Sequence, residues 1–325
     1  MIKKNRKLGL INGVVGLFVI LASSILIGSN NRPQTEDIVI MFTNDVASEI
    51  DGNIGYAGVK SFKDELQSEY KYVSLVDAGD FLDGDIAHVS KGKLIIDLMN
   101  AVGYDVVTLG NQEFSMGLDT LKENIGNSDF EYVSCNLEYI GHGKDRLKRV
   151  QPYVIKRYGG TKIAYIGVTT PETILKAGKP AYEALREDGE FIYTLYEGNE
   201  GQDLYNRVQK TIDKVKNKVD YVVVLAHLGQ NSVMSGFSSY DLIENTSGID
   251  VVIDAHSHTA NTGEAVADKD GHNVILTSAQ EELEYVGVVY IHPDRTYTTV
   301  LYPSVRSADP EIQNMVNEIH QNTGY

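Results

Sequence analysis

Cysteine is almost missing from this chain: Cys135 is the only one in 325 residues. No intrachain disulfide can form, and no thiolate cluster can hold zinc, so any metal ligands must be His, Asp or Asn. Basic residues are also scarce, with 29 Lys and Arg against 45 Asp and Glu and a formal net charge of -16. Nucleic-acid affinity comes mainly from Lys and Arg neutralising phosphates, so nucleic acid is excluded as a partner. An anionic ligand must then be held locally, by a metal ion or by backbone dipoles. There is no internal repeat and no low-complexity tract, which leaves an ordinary globular chain; its 42% hydrophobic content is enough for a large core.

What is present begins with charge. Lys3, Lys4, Arg6 and Lys7 precede an uncharged apolar run over residues 8–28. Such a run is long for a signal-peptide core and long enough to span a bilayer, which needs ~20 apolar residues. Residues 1–31 are read as a membrane anchor or signal segment. The small-residue cleavage pattern near residues 25–30 is poor, which favours an uncleaved anchor; a cleaved signal would give a secreted protein. Either way the positive-inside rule puts the rest outside the cytoplasm.

Beyond a polar linker containing Pro33, β-branched runs alternate with amphipathic stretches. Strands are expected at 37–42, 72–77, 106–109, 131–136, 162–169, 221–226, 251–254, 274–278, 286–292 and 297–303, and helices at 58–70, 94–102, 118–125, 204–217 and 310–321. This alternation predicts an α/β layered domain over residues 32–309, followed by a C-terminal helix in 310–325. Gly159-Gly160 between two β-branched runs reads as a hairpin turn, so the sheet is mixed. Residues 177–202 show no clear period and read as a binding loop or a surface excursion.

Five expected strands end in residues of metal-ligand type. Asp45 follows the first and Asp80 the second; Asn111 follows the third, in Gly110-Asn111-Gln112-Glu113. His227 closes a very apolar strand, and His256 and His258 follow another in Ala255-His256-Ser257-His258. Ligands of α/β sheets bind at the carboxyl ends of strands, where loops gather side chains from distant parts of the sequence. A lone strand-end Asp is usually a cap and a lone His usually belongs to surface or core, but so many together point to one site. A two-metal hydrolase needs ions ~3.5–4 Å apart, a bridging carboxylate and terminal His, Asp or Asn ligands, so that activated water can attack phosphorus in line. This donor set suits a divalent ion of the Zn, Mn or Fe type.

In this order the motifs resemble the calcineurin-like metallophosphoesterases of the 5'-nucleotidase branch, from Ile38 to about Pro303. Gly55-Tyr56-Ala57-Gly58 and Gly201-Gln202-Asp203-Leu204-Tyr205 match as well. The resemblance implies a two-sheet sandwich flanked by helices, in which Asp80 bridges two ions. Asn111, His227 and His256 would complete one of them, while Asp45 and His258 would belong to the other. It also implies that Asn111 and Gln112 stand at the catalytic, substrate-binding positions.

The departures from the family pattern bear on catalysis. Where the family has Asp-x-His this chain has Ala47, and where it has Gly-Asn-His-Glu-Phe-Asp this chain has Gln112 and Ser115. One ion therefore keeps a complete ligand set and the other lacks one, for which His88, Glu49 and Asp51 are the candidate stand-ins. The phosphate-facing His and the Asp that orients it are both replaced. Relatives are expected to carry a further C-terminal domain that binds the base, and residues 310–321 resemble the helix leading into it, so the nucleotide-specific half is expected to be absent. Two functions follow: a weak or altered extracytoplasmic phosphoesterase, or a non-catalytic metal-binding surface module that binds a phosphorylated ligand or a protein partner.

Overall fold

The computed structural model describes residues 18–20, 34–144, 147–175, 183–231 and 236–325. The expected anchor or signal segment lies outside the described residues, apart from Phe18–Ile20, a short strand antiparallel to Tyr297–Tyr302. Among the described residues no helix is long and apolar enough to cross a membrane.

Two mixed sheets face one another. The seven-stranded sheet runs in the order Phe18–Ile20, Tyr297–Tyr302, Val286–Ile291, Ile38–Thr43, Tyr72–Asp77, Val106–Thr108 and Glu131–Val133, and the last four of these are mutually parallel. The six-stranded sheet runs in the order Ala260–Ala267, Asn273–Ala279, Val251–Asp254, Tyr221–His227, Thr161–Thr169 and Tyr153–Tyr158. Its four inner strands are parallel and its two edges antiparallel. The expected hairpin is the Tyr153–Tyr158 edge.

Strands buried on both faces are apolar at most positions, which is why these read as near-continuous runs. In Ile38–Thr43, Ile38, Ile40 and Phe42 pack between the sheets against Val223, Leu225 and Ile253. Val39 and Met41 face the other way, toward the helices Gly55–Glu69, Lys93–Val102 and Pro310–Thr323. On the far side Val222, Val224 and Ala226 pack against Leu204, Val208 and Ile212 of the Gln202–Val215 helix. The result is the expected α/β two-sheet sandwich with a helical layer on each face.

The elements not expected from the sequence include the helices Gly84–Ser90 and Ser239–Asn245, the short helix Glu172–Leu175 and the strand Ala260–Ala267. The strand is an edge with mostly solvent-facing side chains and a register shift between Asn261 and Glu264, so its residues show no hydrophobic alternation. The strand expected at 131–136 stops at Val133, because the amides of Ser134 and Cys135 turn to the Gln151 and Gly167 carbonyls, both at 2.8 Å.

Candidate metal centre

The parallel strands of both sheets deliver their carboxyl ends to one edge of the sandwich. Asp45, Asp80 and Asn111 arrive from the seven-stranded sheet and His227, His256 and His258 from the six-stranded one. Asp45, Asp80, His256 and His258 have φ of 50°, 61°, 79° and 52°. Left-handed backbone at a non-glycine residue costs roughly 1–3 kcal/mol and persists only where its surroundings enforce it. Here they do. The Asp45 amide donates to the Gly79 carbonyl at 3.0 Å, and the Ala47 amide to the Asp80 carbonyl at 3.1 Å. The His256 amide donates to both Asp45 carboxylate oxygens, at 2.9 and 3.0 Å. The Gln112 amide donates to Asp80 Oδ1 at 2.8 Å.

Two glycines let these loops meet. A Cβ on Gly110 would lie 2.1 Å from Asp80 Oδ1 and 2.6 Å from the His227 ring. One on Gly79, whose φ is +98°, would lie 2.6 Å from the Gly110 amide nitrogen. Beneath them the buried Glu113 accepts from the amides of Phe81 and Leu82 on Oε1, and from those of Asp80 and Gly110 on Oε2.

The ligand atoms of Asp80, His227 and His256 all lie within 4.8 Å of one another. His227 is fully buried, and its Nδ1 is 2.9 Å from the Ala78 carbonyl. A carbonyl can only accept, so Nδ1 carries a hydrogen and Nε2 is the nitrogen turned toward Asp80. That nitrogen stands 3.0 Å from Asp80 Oδ2 yet makes no hydrogen bond. Held this close, the ring nitrogen and the carboxylate oxygen call for a cation or a shared proton between them. Asn111 Oδ1 is likewise buried with no hydrogen-bond partner. The His256 ring completes the group, 5.0 Å from that of His227 between centroids.

The electrostatics agree with this. Burial pushes Asp80 up to about 6, and it also raises Asp45. Burial, and then the neighbouring His227, lower His256. Burial and then the charge of Asp80 push Glu113 up to about 7. Each shift penalises a charged form in a dry site, and a bound cation reverses that penalty for the carboxylates. Asp80, His227 and His256 therefore fit a divalent ion, and the unpartnered Asn111 Oδ1 is the candidate for a fourth ligand.

The second expected ligand set is less convergent. Asp45 is occupied by the His256 amide and by Asn44 Nδ2 at 2.8 Å. His258 Nε2 is 3.7 Å from Asp45 Oδ1, while its Nδ1 lies 2.6 Å from Glu281 and its side chain is 48% exposed. None of the three stand-ins for position 47 is drawn to Asp45. His88 is exposed near Asp83, Glu49 accepts from the Gly52 amide within its own turn, and Asp51 pairs with His320 at 2.8 Å. The side-chain oxygen of Ser115 is buried with no partner, and Gln112 contributes its backbone amide to Asp80.

Sequence reasoning missed one residue at this site. Glu172 is buried, and its carboxylate lies 3.0 Å from His256 Nε2. Its one sequence signal is position, since it follows the end of the apolar Thr161–Thr169 strand.

A family model described as bacterial capsule synthesis protein PGA_cap matches residues 73–276, well over half of the chain. The chain belongs to that family. Its relatives bear out the resemblance to 5'-nucleotidase-like metallophosphoesterases. It is 25% identical over 287 residues to the trifunctional nucleotide phosphoesterase protein YfkN of Bacillus subtilis, covering 78% of this chain and 18% of YfkN. It is 28% identical over 240 residues to the snake venom 5'-nucleotidase of Crotalus adamanteus, covering 69% of this chain and 37% of that enzyme. The chain thus spans well under half the length of either relative. Among solved structures, a 5'-nucleotidase precursor from Thermus thermophilus matches with a TM-score of 0.74 at 21% identity, over 89% of this chain and 59% of that one. The calcineurin-like phosphoesterase YfkN from Bacillus subtilis matches with a TM-score of 0.69 at 23% identity, over 89% and 98% of the two chains. The fold is that of the metallophosphoesterases.

Proposed function

We propose that this chain is an extracytoplasmic, metal-dependent phosphoesterase of weak or altered activity, built around one fully liganded divalent ion. The observation that carries the reading is the pair of buried side-chain atoms without a hydrogen-bond partner, Asn111 Oδ1 and His227 Nε2, the second of them 3.0 Å from Asp80 Oδ2. A divalent ion of the Zn, Mn or Fe type supplies such a site with Lewis acidity toward a phosphoryl oxygen and the means to activate water near neutral pH. The chain's part is to hold Asp80 by the Gln112 amide, to fix the His227 tautomer through the Ala78 carbonyl, and to keep the pocket floor dry.

The weakness follows from residue chemistry. A Gln112 side chain can donate a hydrogen bond to a phosphate oxygen but cannot deliver a proton, and general acid–base help is worth ~10²–10⁴-fold in rate. Ala47 offers no ligand beside Asp45. A non-catalytic module that binds a phosphorylated ligand or a protein is the second reading, favoured by the engagement of both Asp45 oxygens with protein donors. The substrate class in the first reading is a phosphorylated small molecule, and the N-terminal apolar segment ties the chain to the membrane.

Elemental analysis of the purified chain, together with turnover of a chromogenic phosphomonoester, tests the proposal. One ion per chain is expected, lost in Asp80→Ala. Combining Ala47→His, Gln112→His and Ser115→Asp should raise turnover at least ~10²-fold. Position 47 is ready for the change, because its φ of 49° lies in a region where His is enriched among non-glycine residues. Two tightly bound ions in the parent, or a parent as fast as the restored variant, would refute the damaged-centre reading.

A further inference from the structure

We infer that Glu172 is the positioning residue of the metal centre, holding the His256 ring as its Nε2–H tautomer and so leaving Nδ1 as the ligand nitrogen. The inference rests on the ion site proposed above and adds to it a residue outside the four ligands.

Glu172 is only 5% exposed, at the start of the short helix Glu172–Leu175. The turn before it fixes its place, since its amide donates to Thr170 Oγ1 at 3.2 Å and the Thr173 amide to the Thr170 carbonyl at 3.1 Å. From there one carboxylate oxygen reaches His256 Nε2 at 3.0 Å. A carboxylate accepts, so the ring nitrogen facing it is the donor, and a nitrogen that carries a hydrogen has no lone pair for a metal. The other ring nitrogen must serve. His227 is oriented by the mirror arrangement, with Nδ1 bound to the Ala78 carbonyl and Nε2 left open. The two imidazoles therefore address the ion through different nitrogens, one backed by a neutral carbonyl and the other by a charged carboxylate. A carboxylate behind a ligating imidazole also raises its basicity, and removing such a partner typically costs 10–100-fold in metal affinity.

The test uses the full chain with Zn²⁺ or Mn²⁺ as probe, in the parent, Glu172→Ala and Glu172→Gln. In the metal-free parent, long-range ¹H–¹⁵N correlation should show His256 protonated at Nε2. Glu172→Ala should mix the tautomers and weaken metal binding by about 10–100-fold. Glu172→Gln keeps an acceptor without the charge, and should retain the tautomer with a smaller loss of affinity. A parent found as the Nδ1–H tautomer, or a Glu172→Ala variant with tautomer and affinity unchanged, overturns the inference. Were Glu172→Ala to misfold, the parent tautomer and Glu172→Gln still decide it. A parent that binds no ion while His256 remains Nε2–H in a Glu172-dependent way would instead count against the proposed function alone.

Discussion

Among single residues, Glu113 is the one on which the centre's backbone depends. Its two oxygens collect four amides from two different loops, those of Phe81 and Leu82 at 2.9 and 3.0 Å and those of Asp80 and Gly110 at 3.0 and 2.6 Å. Burial raises the cost of its charge, yet a proton on either oxygen would meet an N–H donor, so the ionised form is the one this geometry serves. Glu113→Gln keeps one acceptor oxygen and turns an amide NH₂ against two backbone donors. Hydrogen bonds to a charged acceptor are worth roughly 1.5–3 kcal/mol each, so the variant should lose about 3 kcal/mol of unfolding free energy in urea and release its ion more readily. A loss below about 1 kcal/mol would show that the loops hold Asp80 without Glu113.

Elements differ in how they reach the site. The helix Ser239–Asn245 opens with a reciprocal cap: Ser238 Oγ accepts from the Asp241 amide at 3.1 Å, and the Asp241 carboxylate accepts from the Ser238 amide at 3.0 Å. Its first residue, Ser239, donates to Asp254 Oδ1 at 2.6 Å, and the same oxygen accepts from the Gly229 amide at 3.1 Å. The cap thus steadies the loop after His227 against the strand before His256. Ser238→Ala should lower stability by about 1 kcal/mol while metal stoichiometry is kept. A chain that loses its ion on this change would mean that the helix sets ligand geometry more directly than its contacts indicate.

The same contrast explains what could be read from the sequence. Tyr72–Asp77 and Val251–Asp254 run as expected to the residue, because strands largely buried on both faces are rich in β-branched and apolar side chains. The seven-residue capped helix and the exposed Ala260–Ala267 edge carry no such constraint, and the periodicities that reveal core elements pass over them. Polar residues at strand ends were visible for a topological reason, since parallel strands bring their carboxyl ends to one edge. Glu172 was not, because a partner to a ligand is defined by which atom it touches across 84 residues of sequence, and no spacing encodes that. The stand-ins for position 47 failed for a related reason. Glu49 and Asp51 are near Ala47 in the chain, but each is turned to another partner, Glu49 to the Gly52 amide and Asp51 to His320 of the C-terminal helix.

At the scale of the whole molecule, the sheets are also fastened at the end opposite the metal centre. Asp250 precedes Val251–Asp254 of the six-stranded sheet. Its carboxylate accepts from the Val222 amide at 2.7 Å and, across the sandwich, from the Tyr297 hydroxyl at 3.0 Å. Burial, the leading cause, pushes it from 3.8 up to about 6. A folded-state pKa raised above the unfolded one gives stability that is full below about pH 3.8 and is lost as pH climbs through about 6, because over that window the folded chain binds the extra proton. Asp250 as a residue is half-buried, so the contribution is discounted for solvent to roughly 1–2 kcal/mol. The net charge of -16 adds self-repulsion in the same direction across the molecule, and subtracting a variant cancels that background. The stability of the parent minus that of Asp250→Asn, measured by urea unfolding at closely spaced pH values, should therefore fall between about pH 4 and pH 7. A difference that stays flat or rises would mean that folding does not raise the cost of ionising Asp250 and that the link between the sheets is a hydrogen bond to a fully charged carboxylate.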